Sequence, residues 1–237
     1  MDIGRCFKDA WGLFRLDLGP LVATAVIAAV VVGAVNLLVG IAILGSVSAF
    51  GGEWSGLAFG SALFGGLLIA LVAIVAYAWM YAVVFHMMLR RVREQRPAEY
   101  ADMQDFDQIG AFAIAAVVLG IIIGLGYVLL IIPGLFLTTI WVFALPLIGD
   151  RKVGLSEAMS ESRRLAAVPG LFTTFATWLV GAVVVAVVVG VLNGIPIIGL
   201  IMGLLAVPFG IGYLISMYFQ AIGEGDLVTE AIERASH

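Results

Sequence analysis

Charge-free apolar runs alternate with short charged segments along the whole chain. Residues 19–44, 57–89, 109–149, 168–192 and 195–222 contain no Lys, Arg, Asp or Glu. A helix rising ~1.5 Å per residue needs about 20 apolar residues to cross a ~30 Å hydrocarbon layer, and every run reaches that length. The third run is about twice as long as one crossing requires. It is interrupted by Pro133-Gly134, a pair that stops a helix and suits a tight turn, and so divides into spans at 109–132 and 135–149. The second of these amounts to about 22 Å of helix, which keeps a re-entrant hairpin open as the competing arrangement. The pattern predicts an all-α polytopic membrane bundle with six transmembrane helices, at 19–44, 57–89, 109–132, 135–149, 168–192 and 195–222. A loop at 90–108 and a tail at 223–237 are both expected on the cytoplasmic side.

Two further segments carry the period of an amphipathic helix. In 2–18, Ile3, Phe7, Trp11, Phe14 and Leu18 form an apolar stripe, and Asp2, Arg5, Lys8, Asp9 and Arg15 take the other faces. In 153–166, Leu155, Met159, Ser162 and Leu165 oppose Glu157, Glu161, Arg163 and Arg164. Both are expected to lie in the cytoplasmic interface, the first with Trp11 among the headgroups. Each leads into a span through a Gly/Pro pair, Gly19-Pro20 or Pro169-Gly170. The spans that follow share Val-Val-Gly-x-x-Asn at Val31–Asn36 and Val188–Asn193. This reads as a degenerate parallel repeat of one interfacial helix and two spans.

Charge position sets the orientation, because short cytoplasmic loops carry the excess of Lys and Arg. With six spans, one side holds Arg5, Lys8, Arg15, Arg90, Arg91, Arg93, Arg96, Arg151, Lys152, Arg163, Arg164 and Arg234, which is every basic residue in the chain. The other side holds residues 45–56, the Pro133 turn and Asn193–Pro196, with Glu53 as its single charge. Removing a middle span would split the basic residues between the two sides. The expected location is the bacterial cytoplasmic (inner) membrane, multi-pass, with both termini cytoplasmic.

Composition agrees: 63% of residues are hydrophobic and 12% charged, against about 45–50% and 25% in a soluble domain. The formal charge of -4 then says less than where the charges stand. A single cysteine, Cys6, forms no intramolecular disulfide. The basic residues are not interleaved with aromatics as in a nucleic-acid reader, so no nucleic-acid partner is expected. The first twenty residues are too polar for the core of a cleavable signal peptide.

Three stretches resemble a known family: Ile132-Pro133-Gly134-Leu135, Trp141 to Pro146, and Glu157-Ala158-x-x-x-Ser162-x-x-Leu165. They are similar to the bacterial multi-pass membrane domain associated with glycerophosphoryl diester phosphodiesterases and to related uncharacterised membrane proteins. Asp9-Ala10-Trp11-x-Leu13-Phe14 looks like the amino-terminal helix of that domain. The resemblance implies a multi-pass membrane architecture over most of the chain. Phosphodiester hydrolysis in the fused proteins belongs to a separate soluble domain, so no catalytic residue is carried over.

Convergent ionisable groups are few, and no catalytic residue, metal site or cofactor is expected; the chain does not read as an enzyme. His86 is expected to snorkel to the interface. With His237 and Cys6 so distant from it, no zinc site is expected. The acidic run Glu94, Glu99, Asp102, Asp105 and Asp107 lacks the pattern of a calcium loop and reads as solvated. Asn36, Thr138, Thr139 and Gln220 are the candidate lining of a polar cavity, with interhelical hydrogen bonding the first reading for Asn36 and Gln220. Pro146 and Pro208 are candidate helix breaks or gates. The small-residue pairs Gly120/Gly124, Gly190/Gly194 and Gly199/Gly203 are candidates for helix packing, or for association between copies. Expected partners are membrane lipids and either a second copy or another membrane protein. Two functions follow: a non-enzymatic scaffold, accessory subunit or membrane-organising factor, or a transporter, channel or lipid-handling protein with a cavity between the helices.

Overall fold

The computed structural model describes residues 1–49, 56–104, 106–192 and 196–235. Among the described residues there are helices and turns but no strands. In chain order the helices are α1 Ile3–Leu16, α2 Leu18–Ala49, α3 Gly56–Arg93, α4 Phe106–Leu129, α5 Ile131–Ile140, α6 Ala144–Arg151, α7 Leu155–Ala167, α8 Leu171–Leu192, α9 Pro196–Ala221 and α10 Gly225–Ala235. A 3₁₀ turn, Tyr100–Gln104, precedes α4.

Among the described residues, five stretches are long and apolar enough to cross a membrane: Leu18–Ala42, Phe64–Arg93, Gly110–Leu129, Ile131–Arg151 and Leu171–Val191. Leu205–Ala221 adds a shorter apolar helix. Large apolar side chains such as Leu38, Phe64, Leu67 and Val191 stand exposed along these helices, as suits a lipid rather than an aqueous solvent. The chain is a multi-pass, all-α membrane protein.

Packing is concentrated where the charges are. Met80 to Val92 of α3 and Ile211 to Phe219 of α9 are largely buried, together with Leu13 of α1 and Leu147 of α6. At this level the carboxyl-terminal ends of α3, α6 and α9 meet the amino-terminal end of α2, joined by Arg91–Asp17 at 3.6 Å and Arg93–Asp150 at 2.6 Å. The helices are therefore pinned together at one polar end.

Several expectations need correction. The chain reverses at Leu130, whose φ of -161° and ψ of 140° are extended, rather than at Pro133-Gly134. Pro133 stands in the first turn of α5, where a missing N–H leaves no bond unmade. Gly134 allows the ring of Tyr127 to lie over it, since a Cβ there would come within 2.5 Å of that ring. The reversal keeps its backbone paired: Leu130 N–H donates to the Gly126 carbonyl at 3.1 Å, and Gly134 N–H donates to the Leu130 carbonyl at 3.3 Å.

The expected span 135–149 is two helices, α5 and α6, with a turn at Trp141–Phe143 between them. Ser162 of α7 satisfies that turn by donating to the Ile140 carbonyl at 2.9 Å and accepting from Phe143 N–H at 3.1 Å. Pro146 is buried in the first turn of α6, so it starts a helix rather than breaking one. Pro208 is buried inside α9, which runs on through it.

Protein covers a face of α1 beside the expected stripe, of which Phe14 is buried while Leu18 stays exposed. Cys6, Asp9, Ala10, Leu13 and Phe14 are buried, and α1 packs on α9 and α10. Trp11 is 53% exposed. The expected tail contains α10, which buries Val228 and Ala231 against its neighbours. Nor do the two halves of the supposed repeat pack alike, because α7 lies against α5, α6 and α8 while α1 lies mainly on α9.

Candidate functional site

Between the α4–α5 hairpin and the α8–α9 pair lies a groove of about 680 Å³, within the range of ~300–1,000 Å³ usual for ligand pockets. Ile123, Thr138, Trp141, Trp178, Gly181 and Tyr213 are among its walls, and α6 closes part of it with Leu145. The wall on α8 runs from Trp178 to Val189, a rise of roughly 16 Å.

Two of the hydroxyls in the wall, on Thr138 and Tyr213, are already engaged. Thr138 Oγ donates to the Gly134 carbonyl at 2.9 Å and lies 3.1 Å from Tyr127 Oη. Tyr213 Oη donates to the Thr177 carbonyl at 2.7 Å. The surface left for an occupant is mostly apolar, because a hydroxyl bonded to its own protein offers little to a ligand.

Beneath the groove sits a cap of charged side chains. Asp102, with a side chain only 5% exposed, accepts from Arg96 at 2.6 Å, Arg90 at 2.9 Å and Glu99 N–H at 3.0 Å. Burial works against its ionisation, but these donors outweigh it and hold the carboxyl below its ordinary range. Asp17 lacks such support. Burial pushes it up, against the Ala98 N–H at 3.2 Å and Arg91. Asp150 accepts two bonds from Arg93, at 2.6 and 2.7 Å, and one from Tyr218 Oη at 2.8 Å. The Arg93 guanidinium also bonds Glu224 and lies 4.7 Å from the centroid of the Phe219 ring.

The third part of the cap fixes α1. Gln220 Oε1 accepts the Asp2 N–H at 2.8 Å, and Arg5 reaches Asp226 of α10 at 2.7 Å. Ser216 Oγ donates to buried Asp9 at 2.7 Å, and burial still pushes that carboxyl up despite this bond and Arg5. The Cys6 thiol is pushed up to about 11, first by burial. These matched pairs hold helices together. Among the described residues no group of three or more His, Cys, Asp or Glu could hold a metal ion.

Of the four candidate cavity residues, only Thr138 lines the groove. Thr139 is buried and donates to the Leu135 carbonyl at 2.8 Å. Asn36 is exposed on α2 and donates one N–H to the Val32 carbonyl at 2.8 Å, a bond within its own helix, and it does not line the groove. Gln220 lies in the polar cap. His86 is buried rather than snorkelling, and Asp102 is likewise buried, not solvated. Asp105 and His237 lie outside the described residues.

The glycine motifs need the same correction. A Cβ added at Gly120, Gly124 or Gly190 would meet nothing within 4 Å, so these positions bring no helices together within the chain. Gly194 lies outside the described residues, and the surroundings of Gly199 and Gly203 on α9 lie beyond the described side chains. The close approaches are elsewhere. Gly181 admits the Tyr213 ring, where a Cβ would stand 2.4 Å away, and a Cβ on Gly212 would stand 3.3 Å from the Ala10 backbone.

Trp141, Trp178 and Tyr213 were not among the sequence candidates. Their signal was position: Trp and Tyr collect at membrane interfaces, whereas Trp178 and Tyr213 stand well inside their helices. Comparison with protein-family models, curated proteins and solved structures gave no match.

Proposed function

We propose that this chain is a six-span, non-catalytic lipid-handling protein of the bacterial cytoplasmic membrane, with its charged cap and both termini in the cytoplasm. The observation that carries the reading is the largely apolar groove, in which the Thr138 and Tyr213 hydroxyls are turned into the protein. A wall made mostly of apolar side chains suits a hydrocarbon chain better than an ion. Six crossings are favoured because α2, α3, α4, the α5–α6 pair, α8 and α9 each begin or end at the cap. The positive-inside bias then puts the cap in the cytoplasm. The similarity to the phosphodiesterase-associated membrane domain has a physical counterpart here, since Ala158, Ser162 and Leu165 of its pattern are all buried beneath the α5–α6 turn.

Native mass spectrometry of protein extracted in mild detergent tests this reading. Wild type is expected to carry a lipid adduct that Gly120→Leu, a substitution into the groove, removes. Gly124→Leu, outside the groove wall, should keep it. The scaffold or accessory-subunit reading is favoured by the open faces at Gly124 and Gly190. Adduct-free protein recovered in fixed stoichiometry with a second copy or another membrane protein would establish that reading instead.

A further inference from the structure

We propose that the groove takes one acyl chain of an anionic phospholipid from the cytoplasmic leaflet, with the lipid phosphate held by Arg151, Lys152 and Arg164. This rests on the lipid-handling reading and names the class of lipid.

The basic residues of the cap fall into two kinds. Arg91, Arg93 and Arg96 are directed at buried carboxylates. Arg151 and Arg164 instead stand 46% and 75% exposed and share a single partner, Glu161, at 3.6 and 2.6 Å. Lys152 is exposed beside them, where its φ of 54° ends α6 in the left-handed region. Asp150 is already matched to Arg93 and Tyr218. Arg151, Lys152, Arg163 and Arg164 are thus opposed locally only by Glu157 and Glu161, leaving an excess of positive charge. Exposed cations with shared counterions can take a phosphate, and Arg does so through paired N–H groups.

This surface adjoins the cytoplasmic end of the groove. Ser162, beside Arg163 and Arg164, bonds both sides of the turn that carries Trp141 and Val142 into the groove wall. The Ala166 carbonyl accepts from Thr174 Oγ at 2.9 Å, and Trp178 of the wall is one turn further along α8, a rise of about 6 Å. Above Arg164 the surface turns apolar, with Val168 68% and Phe172 81% exposed. Charge at the headgroup level and hydrocarbon above it match the order of phosphate and chain in a phospholipid. The groove itself, apolar and roughly 16 Å long, admits the chain and not the headgroup.

The test is reconstitution in vesicles of equal parts phosphatidylglycerol and phosphatidylcholine with identical chains, followed by detergent extraction and native mass spectrometry. Wild type should retain phosphatidylglycerol over phosphatidylcholine by about tenfold. The triple variant Arg151→Gln, Lys152→Gln, Arg164→Gln should still carry one lipid but with the preference reduced to near parity. Gly120→Leu, and independently Gly210→Leu on the facing wall, should carry neither lipid. A Cβ at either glycine meets nothing within 4 Å, and an unchanged melting temperature will confirm folding. An undiminished preference in the triple variant overturns the phosphate assignment while leaving the groove as a lipid site. Undiminished retention in both glycine variants overturns the groove reading as well.

Discussion

At Asp102 one carboxylate serves two arginines from different segments, Arg90 at the end of α3 and Arg96 in the loop that follows. Replacing it with Asn takes the buried anion from both guanidiniums and leaves them the more exposed Glu94, and removing one partner of a buried pair costs at most about 3 kcal/mol where the other side keeps some water and a second anion. Asp102→Asn is therefore expected to lower thermal stability in detergent at pH 7. The sign with pH follows from the lowered carboxyl: its contribution is complete above the ordinary Asp range and is lost as pH falls through the folded value. The gap between wild type and variant should close below about pH 4. Asp9 and Asp17, both raised by burial, act oppositely and favour the fold more as they protonate. Melting curves from pH 7 down to pH 3 check this, and a gap that persists undiminished at the acid end would contradict it. None of these pairings was legible in the sequence, where Asp102 is one acid among five in a short stretch. Burial of a charge is decided by segments far away in the chain, and no local spacing announces it.

Element by element, the glycines show where spacing misleads. G-x-x-x-G marks a smooth helix face, but a face needs a partner at the same height; Gly120 borders a groove instead, and Gly124 faces open space. Gly126 and Gly134, which share no such motif, are the ones in contact across the α4–α5 hairpin, with a Cβ on Gly126 only 3.2 Å from Gly134 Cα. Gly134→Ala would drive a methyl to 2.9 Å from the Tyr127 backbone and should cost about 1–3 kcal/mol by overpacking. Gly124→Ala should be neutral or slightly stabilising. Unfolding of both variants in mixed micelles separates the two, and equal effects would mean the hairpin is not packed as described. The existence of the helices was legible from apolar runs because the requirement of about 20 residues per crossing is physical. The exact site of reversal was not. Pro133 signals a helix boundary, but it is equally content three residues inside a new helix, and the one-residue break at Leu130 has no compositional mark.

For the molecule as a whole, the arrangement of Lys and Arg was the most informative feature of the sequence, since all the charges described here gather at one end of the bundle. The sidedness is testable with single cysteines in a Cys6→Ser background. A cysteine at position 53 should label from outside intact cells, and one at Ser160, exposed on α7, only after permeabilisation. Labelling of both from the same side would overturn the orientation. Native Cys6 is a poor reporter, being fully buried with a thiol raised to about 11, and should stay unmodified at pH 8 until the protein unfolds. The groove was not legible from polar residues, because its walls are mostly apolar and only Thr138 of the polar candidates reaches them.

The seat of α1 also has a bearing on how the protein is made. This helix leaves the ribosome well before the surfaces that cover it, Ser216 and Gln220 of α9 and Asp226 and Ile232 of α10. With roughly 200 residues still to be translated at ~5–20 residues per second, α1 waits about 10–40 s for its partners. An amphipathic helix in that position can rest on the bilayer surface in the meantime. Docking then covers one face and leaves Trp11 and Leu18 exposed, so the helix can keep its seat on the bilayer after its partners arrive.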